Sequence, residues 1–424
     1  MPTTVPPTER RALAILTVSV CAGIVNMVFL NSVAFLIPAL AEAGIGLSTA
    51  GVLAGLPMGG TLLTLIGWGV LIDRIGERIA LVAGLAATAA AALGAAYVPG
   101  LPGLGAMLLL GGAAAASVNA ATGRVIVGWF PPHRRGLAMG VRQAAQPLGV
   151  GLGALILPAS AAALGATEAL LVPAALNAGA ALLCLAVVRD PEPPSPAPLP
   201  AADAEDEAAP EATVETAAAN PYRGATVLQR IHLVSFLLVV PQFTVWTFAL
   251  VWLIDRCGWS PGSAGALIVV AQVLGGLGRM AAGSWSDIVG SRLLPIRIIA
   301  GTAGLTMGAL ALASVWPGPI AVALLVVASA VTVADNGLAF TAVAEAAGPS
   351  WTGRALGVQN TGQNLGATVV PPVFGAVIAA LGYPAAFALA ALGPAAAVLL
   401  VPRTGPDRYA VSSTGTSATG HGPG

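Results

Sequence analysis

The amino-acid sequence predicts an all-α membrane protein: twelve transmembrane helices in two pseudo-symmetric six-helix bundles around a central cavity. Three observations predict it: composition, run length and an internal repeat. Hydrophobic residues make up 57% of the 424 positions and charged ones 8%, with a mean hydropathy of +0.87. A soluble domain carries about 25% charged residues. Twelve apolar runs reach the length of about 20 residues that crosses a bilayer. Third, one polar block occurs twice, 214 positions apart.

The runs cover roughly 14–38, 47–71, 79–99, 103–127, 137–163, 167–188, 229–255, 262–284, 293–316, 319–345, 354–381 and 384–402. Each is long for a strand and rich in Ala, Leu and Gly, so helices satisfy the backbone within each span. Short alternating segments of the barrel type are absent. The first run follows Arg10 and Arg11, exceeds a signal-peptide core in length, and is read as retained.

Domain organisation follows the charges. Residues 1–188 form an N-terminal six-helix bundle and 229–402 a C-terminal one. Between them, 189–228 is Pro/Ala-rich and acidic and reads as a disordered cytoplasmic tether, as 403–424 reads as a disordered tail. All eighteen cations are arginines, and among the connections on the other side only Arg256 is found. The positive-inside rule therefore puts both termini in the cytoplasm and the protein in the cell membrane.

The repeated block supplies the candidate gate. Gly69, Asp73, Gly76 and Arg78 share their spacing with Gly283, Asp287, Gly290 and Arg292. Arg74 follows Asp73, whereas Ile288 follows Asp287. Glycines permit tight turns and close helix approach, and the acid can pair with arginines or helix-end N–H groups. A second correspondence, at an offset of 217, pairs Asn119 with Asn336, Arg142-Gln143 with Gln359-Asn360, Gln146 with Gln363 and Gly149 with Gly366. Paired helical halves are the plan of many secondary transporters.

Ionisable residues inside spans mark function, since a charge at bilayer depth costs about 2.5–3.5 kcal/mol even on insertion scales. Asp335 lies about 15 Å and Arg279 about 12 Å from the charged ends of spans ten and eight, at 1.5 Å per residue. Arg279 reads as an anion ligand, because its planar fork suits a carboxylate, or as the partner that neutralises Asp335. The two readings are compatible, with Asp335 the candidate proton-coupling site. Arg142, Gln143 and Gln146 in span five, Asn360, Gln363 and Asn364 in span eleven, and Asn119 and Asn336 are expected to line the cavity. Gln242 and Trp246 of span seven are further candidates.

The spacing Gly-x-Leu-x-Asp-Arg-x-Gly-x-Arg at 69–78 resembles the loop motif of the major facilitator superfamily, and with its echo at 283–292 the resemblance covers nearly the whole chain. It departs at Glu77, where the family carries a basic residue, and at Ile288. The run Gly278-Arg279-Met280-Ala281-Ala282-Gly283 resembles the span-eight arginine region of monocarboxylate and nitrate porters, where an Arg four residues before Gly binds the anion. Residues 357–366 are similar in part to the Asn/Gly-rich helix of nitrate porters; Leu65 stands where their second arginine would.

The resemblance implies a secondary transporter, not an enzyme, moving a small organic anion by alternating access as a monomer, either proton-linked or facilitative. Efflux of an amphipathic drug or metabolite, and a non-transporting sensor on the same scaffold, are the alternatives. No cofactor or metal is expected: Cys21, Cys184 and Cys257 are scattered, and His133, His232 and His421 lie at or beyond span ends and look unsuited to a buried relay. Without lysine there is no phosphate loop of the Gly-x-x-x-x-Gly-Lys type, and zero net charge gives no sign of nucleic-acid binding. Asp73→Asn is expected to lower transport while membrane insertion persists, which flux assays and membrane fractionation check together.

Overall fold

The computed structural model describes residues 7–130, 141–189, 220–223, 226–348 and 351–402. Among these, every regular element is helical. Span 1 comprises Pro7–Leu30 and Ser32–Glu42, bent at Asn31. Its side-chain Nδ2 donates to the Met27 carbonyl at 2.9 Å, competing with the backbone N–H of the same residue at 3.1 Å. Spans 2, 3 and 4 are Leu47–Ile75, Glu77–Tyr97 and Leu101–Trp129. Span 5 is entered at 141 and runs through Ala145–Leu164, and span 6 is Leu171–Val187. The second half has Val227–Cys257, Pro261–Val289 and Leu293–Ala313 as spans 7, 8 and 9. Eleven described runs are long and apolar enough to cross a membrane. The last, Thr352–Leu400, contains Gly382 at φ 80, a left-handed break that ends span 11 and starts span 12. Its 49 residues would otherwise extend about 74 Å, more than twice the hydrocarbon thickness.

Span 10 departs from expectation. It is two helices, Pro319–Val331 and Asn336–Ala347, joined by a turn at Thr332–Asp335. The backbone tightens there, with Ala334 N–H bonded to Val331 O at 3.2 Å and Asn336 N–H to Val333 O at 3.3 Å. Thr, Asp and Asn stabilise non-helical alternatives through their short polar side chains, and this sequence concentrates all three within five residues.

The buried core shows how the bundles meet. Away from the repeated loops, one continuous apolar cluster joins the halves, including Phe29, Phe35 and Leu157 with Trp246, Phe248 and Phe374. Toward the repeated loops it divides. Ile15, Ile72, Leu81 and Val188 belong to the N-terminal bundle alone, and Ile231, Ile296, Val343 and Val401 to the C-terminal one. The two bundles therefore seal at one end and part at the other.

Two antiparallel seams make the seal. A Cβ on Gly51 or Gly55 of span 2 would lie 2.5 Å from the Pro371 carbonyl or 2.4 Å from that of Thr368 in span 11. A Cβ on Gly265 of span 8 would lie 2.3 Å from the Ala154 carbonyl of span 5. Gly51 and Gly265 hold equivalent places in the repeat, as do Pro371 and Ala154. In lipid, where apolar side chains gain nothing by leaving the solvent, this backbone proximity supplies the packing.

The repeated block is half as expected. Gly76 and Gly290 both have positive φ, 81 and 66, and terminate spans 2 and 8 at corresponding points. Gly69 and Gly283 pack against nothing within 4 Å of a built Cβ, so the expected close approach at these two is absent from this conformer. Arginines of the same end cap the closing helix of each half. Arg78 Nη2 donates to Leu185 O at 2.6 Å, while Arg230 Nε donates to Leu400 O and Arg297 Nη2 to Val401 O, both at 2.9 Å. Cations at helix C-termini also oppose the helix dipole.

Within the N-terminal bundle the contact is tighter still: a Cβ on Gly112 would lie 1.9 Å from the Pro57 carbonyl. Gly112→Ala is expected to cost about 1–3 kcal/mol, the range for overpacking. Gly179→Ala in span 6, where a Cβ meets nothing within 4 Å, is expected not to destabilise. Thermal denaturation in detergent compares the two.

Candidate binding site between the bundles

The break in span 10 organises the site. Arg279 of span 8 donates from Nε to the Val333 carbonyl at 3.1 Å, using an acceptor that the irregular turn presents. From Nη1 it donates to Gln146 Oε1 of span 5 at 3.2 Å, crossing from one bundle to the other. Its Nη2 is buried without a hydrogen-bond partner.

Asp335 closes the turn. It is 1% exposed, and neither carboxyl oxygen has a hydrogen-bond partner. The expected Arg279–Asp335 pair is therefore not formed. The guanidinium is occupied by a backbone carbonyl and an amide, and the two charged side chains interact only through space. Burying a carboxyl without a donor is costly for its charged form, so the neutral acid suits this geometry.

A chain of amides runs beside the break. Asn336 Nδ2 donates to Gln242 Oε1 at 3.1 Å, and Gln363 Nε2 reaches Asn336 Oδ1 at 3.4 Å and Ser235 Oγ at 3.5 Å. Gln359 Nε2 donates a short bond to the same Ser235 hydroxyl. The Gln359 oxygen accepts from His232 Nδ1 at 2.7 Å, and His232 Nε2 lies 3.0 Å from the Tyr222 hydroxyl. His232 thus sits, near the start of span 7, within a half-buried hydrogen-bonded chain. His133 and His421 lie outside the described residues.

The remaining candidates divide. Arg142 Nη1 donates to Thr122 Oγ1 at 3.1 Å, which joins spans 5 and 4. Asn119 is half-buried and Gln143 is exposed. Asn360 and Asn364 bond back to their own helix, to Leu356 O at 3.1 Å and Asn360 O at 2.9 Å. They are not joined to Gln363 as a cluster. Trp246 is buried, with its indole N–H unpartnered.

Outside the membrane, Arg292 bonds Asp287 and, at 3.1 Å from Nε, Glu345. Hydrogen bonding to Asp287 first, and to Glu345, raises the guanidinium above its ordinary range. Arg292 thus ties the second loop to span 10 of its own bundle. Among the described residues no group of three or more His, Cys, Asp or Glu could hold a metal.

Two signals for the missed residues stood in the sequence. The 217 offset pairs Gln359 with Arg142, marking a polar position in each half. The Thr332–Asn336 stretch has poor helix formers inside an apolar run.

Known proteins are similar to this chain in sequence and in fold. The chain is 46% identical over 394 residues to an uncharacterized MFS-type transporter of Mycobacterium tuberculosis (strain ATCC 25618 / H37Rv), covering 93% of this chain and 85% of that protein. The fold is similar to a bacterial homolog of the human lysosomal transporter Spinster in an inward-facing, occupied conformation, with TM-score 0.71, 13% identity and coverage of 94% and 95%. It is likewise similar to a D-xylose-proton symporter, with TM-score 0.71, 16% identity and coverage of 93% and 98%. The sequence profile of the Major Facilitator Superfamily matches residues 19–371 and 231–420. With two helical bundles, a duplicated loop motif and these matches, the chain belongs to the major facilitator superfamily of membrane transporters.

Proposed function

We propose that this transporter moves a small organic anion, with Arg279 as the anion ligand and Asp335 as the proton-coupling group. The observation that carries the reading is a half-buried arginine, held between the bundles, whose Nη2 is buried and unpartnered. A planar fork in a desolvated setting favours a carboxylate through parallel charge-assisted bonds. The amides around Asn336 orient the solute, and Gln146 stands at the guanidinium from the facing bundle. Asp335 sits in the same break of span 10, so its charge acts on the same guanidinium.

Orientation follows from the arginines: the charged loops face the cytoplasm, and the conformer is open inward and sealed outward. The moving bodies are residues 1–188 and 229–402, tethered by 189–228, and one copy suffices. The motif residues Asp73, Arg74 and Arg78, with Asp287 and Arg292, close the cytoplasmic end when the bundles rock the other way. Gly69 and Gly283, with open space beside them, then receive the opposing helices.

Arg279→Lys keeps the charge and loses the fork. Each charge-assisted bond contributes about 1.5–3 kcal/mol, so affinity for a monocarboxylate is expected to fall about 10- to 100-fold. Counterflow of labelled lactate, acetate and benzoate in proteoliposomes reads this; unchanged affinity removes Arg279 as the ligand. Asp335→Asn holds position 335 neutral in every state. It is expected to retain counterflow while losing accumulation driven by a pH gradient, and full gradient-driven uptake would remove Asp335 from coupling.

A further inference from the structure

The two seams that seal the bundles are equivalent in backbone and unequal in polarity. In the seam of spans 5 and 8, contact continues inward from Gly265 against Ala154, through Gly151 against Val269, to the Arg279–Gln146 hydrogen bond. In the seam of spans 2 and 11, the repeat puts Leu65 in the place of Arg279 and Gln363 in that of Gln146. Leu65 offers no donor, and Gln363 bonds Asn336 and Ser235 of its own bundle. One seam carries a polar bond between bundles and its twin does not.

We propose that Gln146 occupies the solute's place on Arg279, so that the span 5–span 8 seam is latched when the site is empty and released when an anion binds. This rests on Arg279 being the anion ligand. A carboxylate needs two adjacent N–H groups of the fork for a bidentate bond. Nε is held by the Val333 carbonyl, a backbone group fixed by the turn in span 10. Nη1 is held by Gln146, a rotatable side chain on the other bundle, and Nη2 is buried without a partner. The Nη1–Nη2 edge is therefore open to a carboxylate once Gln146 turns away. The exchange replaces one bond from a neutral amide oxygen with two from a charged group. It also removes the deepest rung of one seam, which lets the outer end part. Binding and opening are thereby the same event at one atom.

The test uses full-length protein with its three cysteines replaced and one cysteine introduced by Val269→Cys, inside the seam against Gly151. Its labelling rate by a water-soluble maleimide in detergent reports seam opening. Gln146→Leu removes the latch and is expected to raise the rate at least threefold. Gln146→Glu tethers a carboxylate to the fork and is expected to lower the rate and abolish counterflow. Lactate, acetate or benzoate, whichever supports counterflow in liposomes, is expected to raise the rate in the parent and not in Gln146→Leu. A Gln146→Leu rate equal to the parent's overturns the latch, even where Arg279→Lys abolishes counterflow and so upholds the anion site. An acid that undergoes counterflow without changing the parent's rate overturns the displacement. Unimpaired counterflow in Arg279→Lys overturns the anion site itself, and the displacement with it.

Discussion

Inside lipid, a helix gains nothing by hiding apolar side chains from its surroundings, so association depends on close backbone packing and on the few polar groups that reach each other. This chain meets that constraint with glycine. At both seams a missing Cβ brings one helix against a carbonyl of the other bundle, at Gly51 and Pro371 and at Gly265 and Ala154. The rest follows from the location of those contacts. They occupy the end away from the charged loops, so the apolar core is continuous there and divided at the other end. Close packing seals one mouth and leaves the other open, as a carrier that exposes its site to one side at a time requires.

Polar groups are so sparse that each one has structural consequence. The turn at Thr332–Asp335 leaves the Val333 carbonyl with one long bond, from the Asn336 N–H at 3.3 Å, and irregular backbone at membrane depth is tolerated only where protein or water covers it. Arg279 supplies the cover through Nε. The break and the arginine thus explain each other, since the turn gives the cation an acceptor and the cation satisfies the turn. Asp335 lies in the same turn without bonding the guanidinium, and its two carboxyl oxygens are buried without a partner. A direct ion pair would have quenched each with the other.

Much of this was legible in the residues. Apolar run length located the spans, because backbone satisfaction in lipid leaves helices as the only option for such runs. The duplicated spacing located Gly76 and Gly290, since a positive φ at a helix end favours glycine wherever it recurs. Asn336 and Gln363 were found through the repeat, and they do meet. What escaped depends on side-chain direction. Asn360 and Asn364 lie one helical turn apart and turn back onto their own backbone, a choice that periodicity does not encode. Gln143 and Gln146 are three residues apart, yet only the latter reaches the facing bundle. His232 looked peripheral because distance along the chain says nothing of the Gln359 amide waiting across span 11. The missing Arg279–Asp335 pair has the same origin: opposite charges at similar depth predict attraction, and only the local acceptor at Val333 decides the geometry.

The inequality between the halves carries the final step. A duplicated scaffold with identical seams would give a solute two equivalent places to act, and no single group whose displacement marks occupancy. Here the repeat keeps Gln at both positions, 146 and 363, and changes only its counterpart, Arg279 against Leu65. Facing Leu, Gln363 turns inward and joins the amide chain of its own bundle. Facing Arg, Gln146 turns across the gap. This difference within a symmetric frame goes with two different contacts, one that holds the C-terminal bundle together and one that holds the two bundles to each other. Only the second lies at the guanidinium that we propose as the anion ligand.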